Sequence, residues 1–287
     1  MRINTNINSM RTQEYMRQNQ DKMNTAMNRL SSGKSINSAA DDAAGLAIAT
    51  RMRAKEGGLN VGARNTQDAM SALRTGDSAL GSISNILLRM RDLATQASNG
   101  TNNLKDSASL EKEYQQLGKE IDHIAQKTNF NGNSFLNLNG NNTTTGPKGT
   151  NITIQLSDSA NDVMTITAID ATVNALLGAT IGTLTDAADP AAAITAATNE
   201  MKKIDTAIQA VADARATFGS QLNRLDHNLN NVTSQATNMA AAASQIEDAD
   251  MAKEMSEMTK FKILNEAGIS MLSQANQTPQ MVSKLLQ

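Results

Sequence analysis

Residues 201–246, MKKIDTAIQAVADARATFGSQLNRLDHNLNNVTSQATNMAAAASQI, decide the fold. Within them Met201, Ile204, Ile208, Val211, Arg215, Phe218, Leu222, Leu225, Leu229, Val232, Ala236, Met239, Ala243 and Ile246 follow one another at alternating steps of three and four. That spacing keeps one stripe of a helix apolar along its length, the heptad seam by which helices pair side by side. Arg215 alone breaks the apolar rule, and an acid on a facing helix is its expected partner. The stretch holds no proline and a single glycine, Gly219. Nothing in it therefore ends a helix of about 70 Å, at 1.5 Å rise per residue. A rod or a filament needs such a helix; a compact domain does not.

Toward the N-terminus the same spacing returns as Leu59, Gly62, Thr66, Ala69, Leu73, Gly76, Leu80, Ile83, Leu87, Met90, Ala94 and Ala97, firm from Leu80 onward. It stops at Ser98-Asn99-Gly100, where glycine is expected to supply the left-handed residue a helix end favours. After a polar link through Asn103 it resumes as Leu110, Tyr114, Leu117, Ile121 and Ile124, an antiparallel partner for the helix before it. Ile86 and Leu93, one heptad apart and off the main seam, predict a second buried face.

The middle, about 129–195, differs in kind. Asn129-Phe130-Asn131-Gly132-Asn133 and Asn139-Gly140-Asn141-Asn142 are turn-formers, and Thr143-Thr144-Thr145-Gly146-Pro147 is a polar breaker. Ile152, Ile154 and Leu156, then Met164, Ile166 and Ala168, alternate with polar residues on either side of a turn, which predicts a β-hairpin. Pro190 suits the first turn of the following helix. The zone reads as a surface insert. The expected fold is mainly α: a long antiparallel helical coiled-coil rod formed by both chain ends, with a small central region containing a β-hairpin.

Composition narrows the function. Lys+Arg 26 against Asp+Glu 28 is too balanced for a nucleic-acid or membrane-surface binder. No cysteine is present, which excludes disulfides, thiolate metal sites and a cysteine nucleophile. Aromatics are 2% of the 287 residues while methionines number 16, so the seams are aliphatic and thioether. No apolar run approaches the ~18 residues of a membrane span, so no membrane insertion is expected. Met1–Asn8 lacks the pattern of a cleaved secretory signal. The chain is expected either to stay in the cytoplasm or to leave by a route that uses no such signal.

Both ends carry amphipathic helices too thin to bury themselves. Residues 1–32 offer Ile3, Ile7, Met10, Met16, Met23, Met27 and Leu30; residues 251–287 offer Met251, Met255, Met258, Phe261, Leu264, Met271, Leu272, Met281, Leu285 and Leu286. Paired with each other, they still leave an apolar face open, and such a face marks a partner surface. If the partner is another copy, the contact does not close and an open helical polymer follows.

Chemistry is absent by comparison. There is no phosphate-binding glycine loop and no H-E-x-x-H pair. His123 and His227 sit among polar residues and read as solvated. Asp41-Asp42 reads as a helix start, and Glu247-Asp248-Ala249-Asp250 lacks the glycine and distant glutamate of a calcium loop. No catalytic residue, metal or cofactor is expected.

Several segments carry a resemblance. Met1-Arg2-Ile3-Asn4-Thr5-Asn6, Ser31-Ser32-Gly33, Ile36-Asn37-Ser38-Ala39 and Asp41-Asp42-Ala43-Ala44-Gly45-Leu46-Ala47-Ile48 resemble the N-terminal signature of bacterial flagellins. Asn65-Thr66-Gln67-Asp68 and Thr128-Asn129-Phe130-Asn131-Gly132 are similar to further motifs. Ile246-Glu247-Asp248-Ala249-Asp250 and Gln274-Ala275-Asn276-Gln277 with Leu285-Leu286 resemble the C-terminal signature. Ser35, Gln245 and Met251 depart from the pattern, replacing two arginines and an aromatic.

The resemblance implies a structural subunit of the flagellar filament, exported unfolded by the type III apparatus and added at the distal tip. It implies an inner core domain at 1–45 and 246–287, disordered in the monomer. A rod would follow at 46–175 and 196–245, with a short variable region at about 140–195. Implied partners are further copies of the chain, an export chaperone on the C-terminal helix, and the cap and hook-junction proteins. Ile3, Ile7, Met10, Met255, Met258, Phe261, Leu264, Met271, Leu272, Leu285 and Leu286 would form the polymerisation and chaperone face. Leu88-Arg89-Met90-Arg91-Asp92-Leu93 resembles the segment held by the host Toll-like flagellin receptor, with Arg89 as multidentate donor, Leu93 as apolar knob and Glu113 as acceptor. Val282, Leu285 and Leu286 resemble the tail read by cytosolic innate sensors. Thr143, Thr144, Thr145 and Thr150 are candidates for O-glycosylation. A hook–filament junction protein and a cytoplasmic coiled-coil scaffold are the alternatives.

Overall fold

The computed structural model describes residues 6–134, 136–137, 151–178, 182–184 and 190–285, with backbone alone at Leu104, at Pro190 and over 278–285. In chain order its elements are α1 (Ile7–Ser32), α2 (Ala43–Ala97), α3 (Leu104–Lys127), β1 (Asn129–Phe130), β2 (Asn133–Ser134), β3 (Ile152–Gln155), β4 (Val163–Ile166), α4 (Val173–Leu177), α5 (Pro190–Glu247) and α6 (Met251–Leu285). Two compact units result. A central unit runs from Gly57 to Gln235, and an end unit gathers the described residues up to Glu56 and from Ala236. The fold is mainly α, with two small antiparallel strand pairs among the described residues.

Long helices follow from composition. Proline is absent from the interiors of α2 and α5, 55 and 58 residues long, and Pro190 is the first helical residue of α5. In the central unit every α2 seam position from Leu59 to Ala97 is buried. Ile86 is half-buried and Leu93 buried, giving the predicted second face. Tyr114 and Ile121 of α3 and Ile204, Val211, Phe218 and Leu225 of α5 complete a continuous apolar core.

The α5 seam departs from the strict heptad on alternate rungs. Ala207, Ala214 and Gln221 are buried; Ile208 and Leu222 are only partly covered, and Arg215 is exposed. A straight helix of 3.6 residues per turn drifts about 20° per heptad, enough to turn the neighbouring residue inward. Arg215 therefore sits beside the seam, where its Nε donates to Asp77 Oδ1 of α2 at 2.8 Å. The end of α2 also differs from expectation. The only positive-φ glycines among the described residues are Gly33, Gly132 and Gly178, so Gly100 is not left-handed. Instead the Asn99 amide donates to Gln96 O and the Asn102 side chain donates to the same carbonyl at 2.6 Å.

Asn131 and Gly132 both take positive φ, 51° and 82°, and join β1 to β2 in a tight hairpin turn. The second hairpin pairs Ile152 with Ile166 and Ile154 with Met164. Its apolar face is not a surface insert, for Ile154, Leu156, Met164, Ile166 and Ala168 all belong to the central core. A short strand pair with one apolar side must bury that side to persist. Here it packs on α2, where the Asn65 side chain donates to Gln155 O at 3.2 Å. A Cβ at Gly62 would lie 2.4 Å from Leu156 O.

That approach yields a paired test. Gly62→Ala should destabilise the protein by about 1–3 kcal/mol despite alanine's better helix propensity, because the hairpin backbone must move. Gly57→Ala, where a Cβ meets nothing within 4 Å, should stabilise by up to about 1 kcal/mol. Thermal unfolding of both variants checks the opposite signs.

Candidate functional site

The end unit is organised by the two terminal signatures. The Asn6 side chain caps α1 by accepting the Ser9 amide at 3.2 Å, and left-handed Gly33 (φ 72°) ends the helix. From there the chain runs antiparallel to the segment after α5. Ser35 N donates to Glu247 O at 2.7 Å and Ala249 N to Gly33 O at 3.0 Å, a bridge that opposes Lys34 to Asp248. Segments more than two hundred residues apart are thus joined backbone to backbone. Ser35, standing where an arginine is usual in the resembled pattern, donates its hydroxyl to Glu247 O at 3.3 Å.

The Glu247 side chain fastens the bridge. It is 7% exposed; one oxygen accepts from Lys34 Nζ and the other from Arg53 Nε at 3.2 Å. The Lys34 hydrogen bond outweighs burial and, with Arg53, holds its pKa below the usual carboxylate range. The remaining acids are committed to geometry. Asp41 accepts from the Ser38 amide and hydroxyl and from the Asn37 amide, which lowers its pKa as well. Asp42 caps α2 through the Ala44 and Gly45 amides, both at 3.0 Å, and Asp250 caps α6 through Ala252 and Lys253. At Gly45 a Cβ would fall 2.5 Å from Asp42 Oδ2 and 2.7 Å from Ile36 Cδ1, so the motif needs glycine there. Among the described residues no group of three His, Cys, Asp or Glu is placed to hold a metal ion.

Below the bridge α1 and α6 pack together, through polar pairs set among half-covered apolar side chains. The Asn6 amide donates to Ala275 O at 2.9 Å, Asn265 donates to Gln20 Oε1 at 2.6 Å, and Arg29 lies 3.5 Å from Glu254. Met16 lies against Gly268, and Met258, Phe261 and Leu272 are partly covered. The end unit's fully buried apolar residues, as described, are Ala26, Ile36, Ala49, Ala236 and Ala243. Outside, Ile7, Met10, Tyr15, Met27, Met251, Met255, Ile263, Leu264, Ile269 and Met271 are all exposed, Met271 at 68%. The seam mixes polar groups with half-covered Met16, Met23, Leu30, Met258, Phe261 and Leu272, and large apolar side chains remain exposed outside it.

Of the residues expected on the polymerisation face, Ile7, Met10, Met255, Leu264 and Met271 point outward, while Met258, Phe261 and Leu272 turn partly inward. Ile3 and Leu286, and the side chains of Val282 and Leu285, lie outside the described residues, as do Thr143, Thr144, Thr145 and Thr150. In the central unit Arg89 Nε and Nη2 both donate to Glu113 Oε1, at 2.9 and 2.6 Å, with both side chains exposed. Leu93 is no apolar knob: at 1% exposure it belongs to the core, because it falls on the second buried face of α2. Leu88 is the exposed apolar residue of that segment.

Sequence reasoning missed the partners of Glu247. Its position four residues after Ala243 on the seam was the available signal, since an acid placed inward demands a cation. It also missed a buried network in the central unit, where Glu200 accepts from Tyr114 Oη at 3.2 Å and Lys203 Nζ at 2.6 Å. Burial and the neighbouring Glu200 push the Tyr114 phenol far up, so it remains a donor.

This is a mainly α structural protein whose two ends fold on each other and expose their apolar sides. Residues 3–143 match the bacterial flagellin N-terminal helical region and residues 201–286 the C-terminal one. Flagellin of Listeria monocytogenes is 45% identical over 290 residues, covering 100% of this chain and 99% of that one. Flagellin of Bacillus subtilis is 40% identical over 303 residues, with both chains wholly covered. The crystal structure of Bacillus cereus flagellin is 65% identical with a TM-score of 0.51, over 63% of this chain and 94% of that chain. The chain belongs to the bacterial flagellin family and is a structural subunit of the flagellar filament.

The Glu247 clamp predicts a pH dependence. Because folding lowers this carboxyl's pKa, its stabilisation is complete at neutral pH and is lost as the pH falls through the native value. Glu247→Gln should cost about 1–2 kcal/mol at neutral pH, its partners being half-exposed. The gap between wild type and variant should close below about pH 4. Melting curves of the two proteins across that range test it; a gap unchanged at about pH 3 would contradict the clamp.

Proposed function

We propose that the outer surface of α1 and α6 is the assembly surface of the filament, covered by neighbouring copies. The supporting observation is surplus apolar surface: the end unit's described buried apolar residues are four alanines and Ile36, while large apolar side chains of α1 and α6 such as Ile7, Met10, Ile269 and Met271 stay exposed. In this reading residues 1–45 and 246–287 form the inner layer and order fully only on assembly. Residues 46–175 and 196–245 form the surrounding rod, which includes the hairpin, and the rest of about 140–195 forms the variable outer region. The subunit leaves the cell through the flagellar type III apparatus and adds at the distal tip beneath the cap, above the hook-junction proteins. An export chaperone covers the apolar sides of α6 until then. Burial against other copies offsets the cost of ordering the ends. The subunit acts as structural material and carries out no catalysis.

Ile7→Asp with Ile269→Asp tests this reading without touching methionine. Both side chains are exposed, at 52% and 56%, so the monomer should fold as before. Electron microscopy after seeding should show filaments from the wild type and none from the variant. Wild-type yields of filament from the variant would remove the surface from the assembly.

The free subunit is also read as a ligand of the host Toll-like flagellin receptor, through the Arg89–Glu113 pair and exposed Leu88. Arg89→Ala with Glu113→Ala should abolish receptor signalling while shifting stability by less than about 1 kcal/mol, since the pair is solvent-exposed. Leu93→Ala would confuse that experiment by opening the core, at about 2–5 kcal/mol. The tail ending in Val282, Leu285 and Leu286 is assigned to cytosolic sensors, and Thr143, Thr144, Thr145 and Thr150 to O-glycosylation; an intact mass equal to the bare chain's 30.5 kDa would refute the modification.

A further inference from the structure

Among the described residues every exposed methionine lies on α1 or α6: Met10, Met27, Met251, Met255 and Met271, from 46% to 68% exposed. The described methionines of the central unit are buried or half-buried, with Met90 and Met164 sealed in its core. The thioethers are therefore divided by place. Those open to solvent occupy only the surface that, under the reading above, a neighbouring copy must cover.

Resting on that reading, we propose that these five methionines form a reversible oxidation site that controls assembly, with a peroxide as the oxidant. The thioether sulfur attacks one oxygen of hydrogen peroxide, the O–O bond breaks as the S–O bond forms, and the second oxygen takes the proton of the first and leaves as water. Sulfur gives up two electrons and the peroxide accepts them. The product is a sulfoxide, polar and chiral where the side chain was apolar and flexible. Burying it against a neighbour requires a hydrogen-bond donor that an apolar interface does not offer. An oxidised subunit thus folds its central unit normally and fails to join the polymer. A thiol-dependent methionine sulfoxide reductase restores it, its thiols supplying two electrons and two protons as they form a disulfide and the sulfoxide oxygen leaving as water. Once subunits are assembled, their neighbours shield the same sulfurs.

The test treats purified full-length subunit with hydrogen peroxide, maps sulfoxides by peptide mass spectrometry and measures elongation from filament seeds. The five named methionines should oxidise well before Met90 and Met164, and elongation should slow by at least about tenfold, less than the loss of one buried methionine corresponds to. A variant with all five changed to leucine, a volume-conserving swap, should elongate equally before and after peroxide. Peroxide applied to finished filaments should leave the five unmodified. The proposal is overturned if subunits oxidised at these positions elongate at the untreated rate, if the leucine variant is inhibited as strongly as wild type, or if the five oxidise as fast in filaments as in free subunits. The filament measurement on wild type decides the matter even if the leucine variant does not fold. Failure here with Ile7→Asp/Ile269→Asp still blocking assembly would refute the oxidation site alone; failure of both would remove the assembly surface itself.

Discussion

The end unit cannot hide its apolar surface. α1 and α6 meet through asparagine, glutamine, an Arg29–Glu254 pair and a close approach at Gly268, while isoleucines and methionines face outward. Two helices can shelter only the seam between them, and helices in water depend on such packing far more than on propensity. The central unit faces no such constraint, since Tyr114, Phe218 and the α2 seam give it an interior of its own. The difference between the units is one of interior: the central unit has an extended apolar core, and the end unit, under the proposed reading, completes its own by joining neighbouring copies.

The bridge of Lys34 to Asp248 makes that division workable. It lets helices from opposite ends of the chain leave from one place, with Glu247 neutralised by Lys34 and Arg53. The acidic motifs nearby look like chemistry in the sequence and turn out to be carpentry. Asp41 ties a turn; Asp42 and Asp250 satisfy the otherwise unpaired amides that open α2 and α6. An acid immediately before a helical run, accepting from the amides two and three residues on, has this use first, and any ligand must compete with it.

What was legible in the sequence was what depends on local periodicity. The α2 seam, the α3 link at Asn103, the Ile152–Ile166 hairpin and the Pro190 helix start follow from spacing and turn chemistry alone. What escaped depends on how finished elements meet. The one-residue shift from Arg215 to Ala214 reflects the pitch of a straight helix, and the α2 end is closed by the Asn99 amide and the Asn102 side chain on Gln96 O rather than by Gly100. Leu93 belonged to a second buried face that the heptad analysis had already drawn, yet its place in a resembled motif suggested exposure. The candidate site divides the same way: outward Ile7, Met10, Met255, Leu264 and Met271 were readable as surplus apolar surface, whereas the inward turn of Met258, Phe261 and Leu272 required α1 to be in place.

The choice of methionine for so much of that surplus has its own logic. A surface completed by identical neighbours is not shaped by a fixed interior, so its side chains must fit whatever packing the polymer adopts. Leucine and isoleucine hold well-defined rotamers and reward one geometry; methionine, unbranched and polarisable, refits at little cost. A polymer whose subunit contacts hold more than one packing needs that tolerance. The same lack of enclosure that lets these side chains adapt leaves their sulfur atoms open before assembly. Under the proposed assembly, adaptability and chemical vulnerability thus have one origin: large apolar side chains of the end unit lie exposed, where a neighbouring copy would cover them.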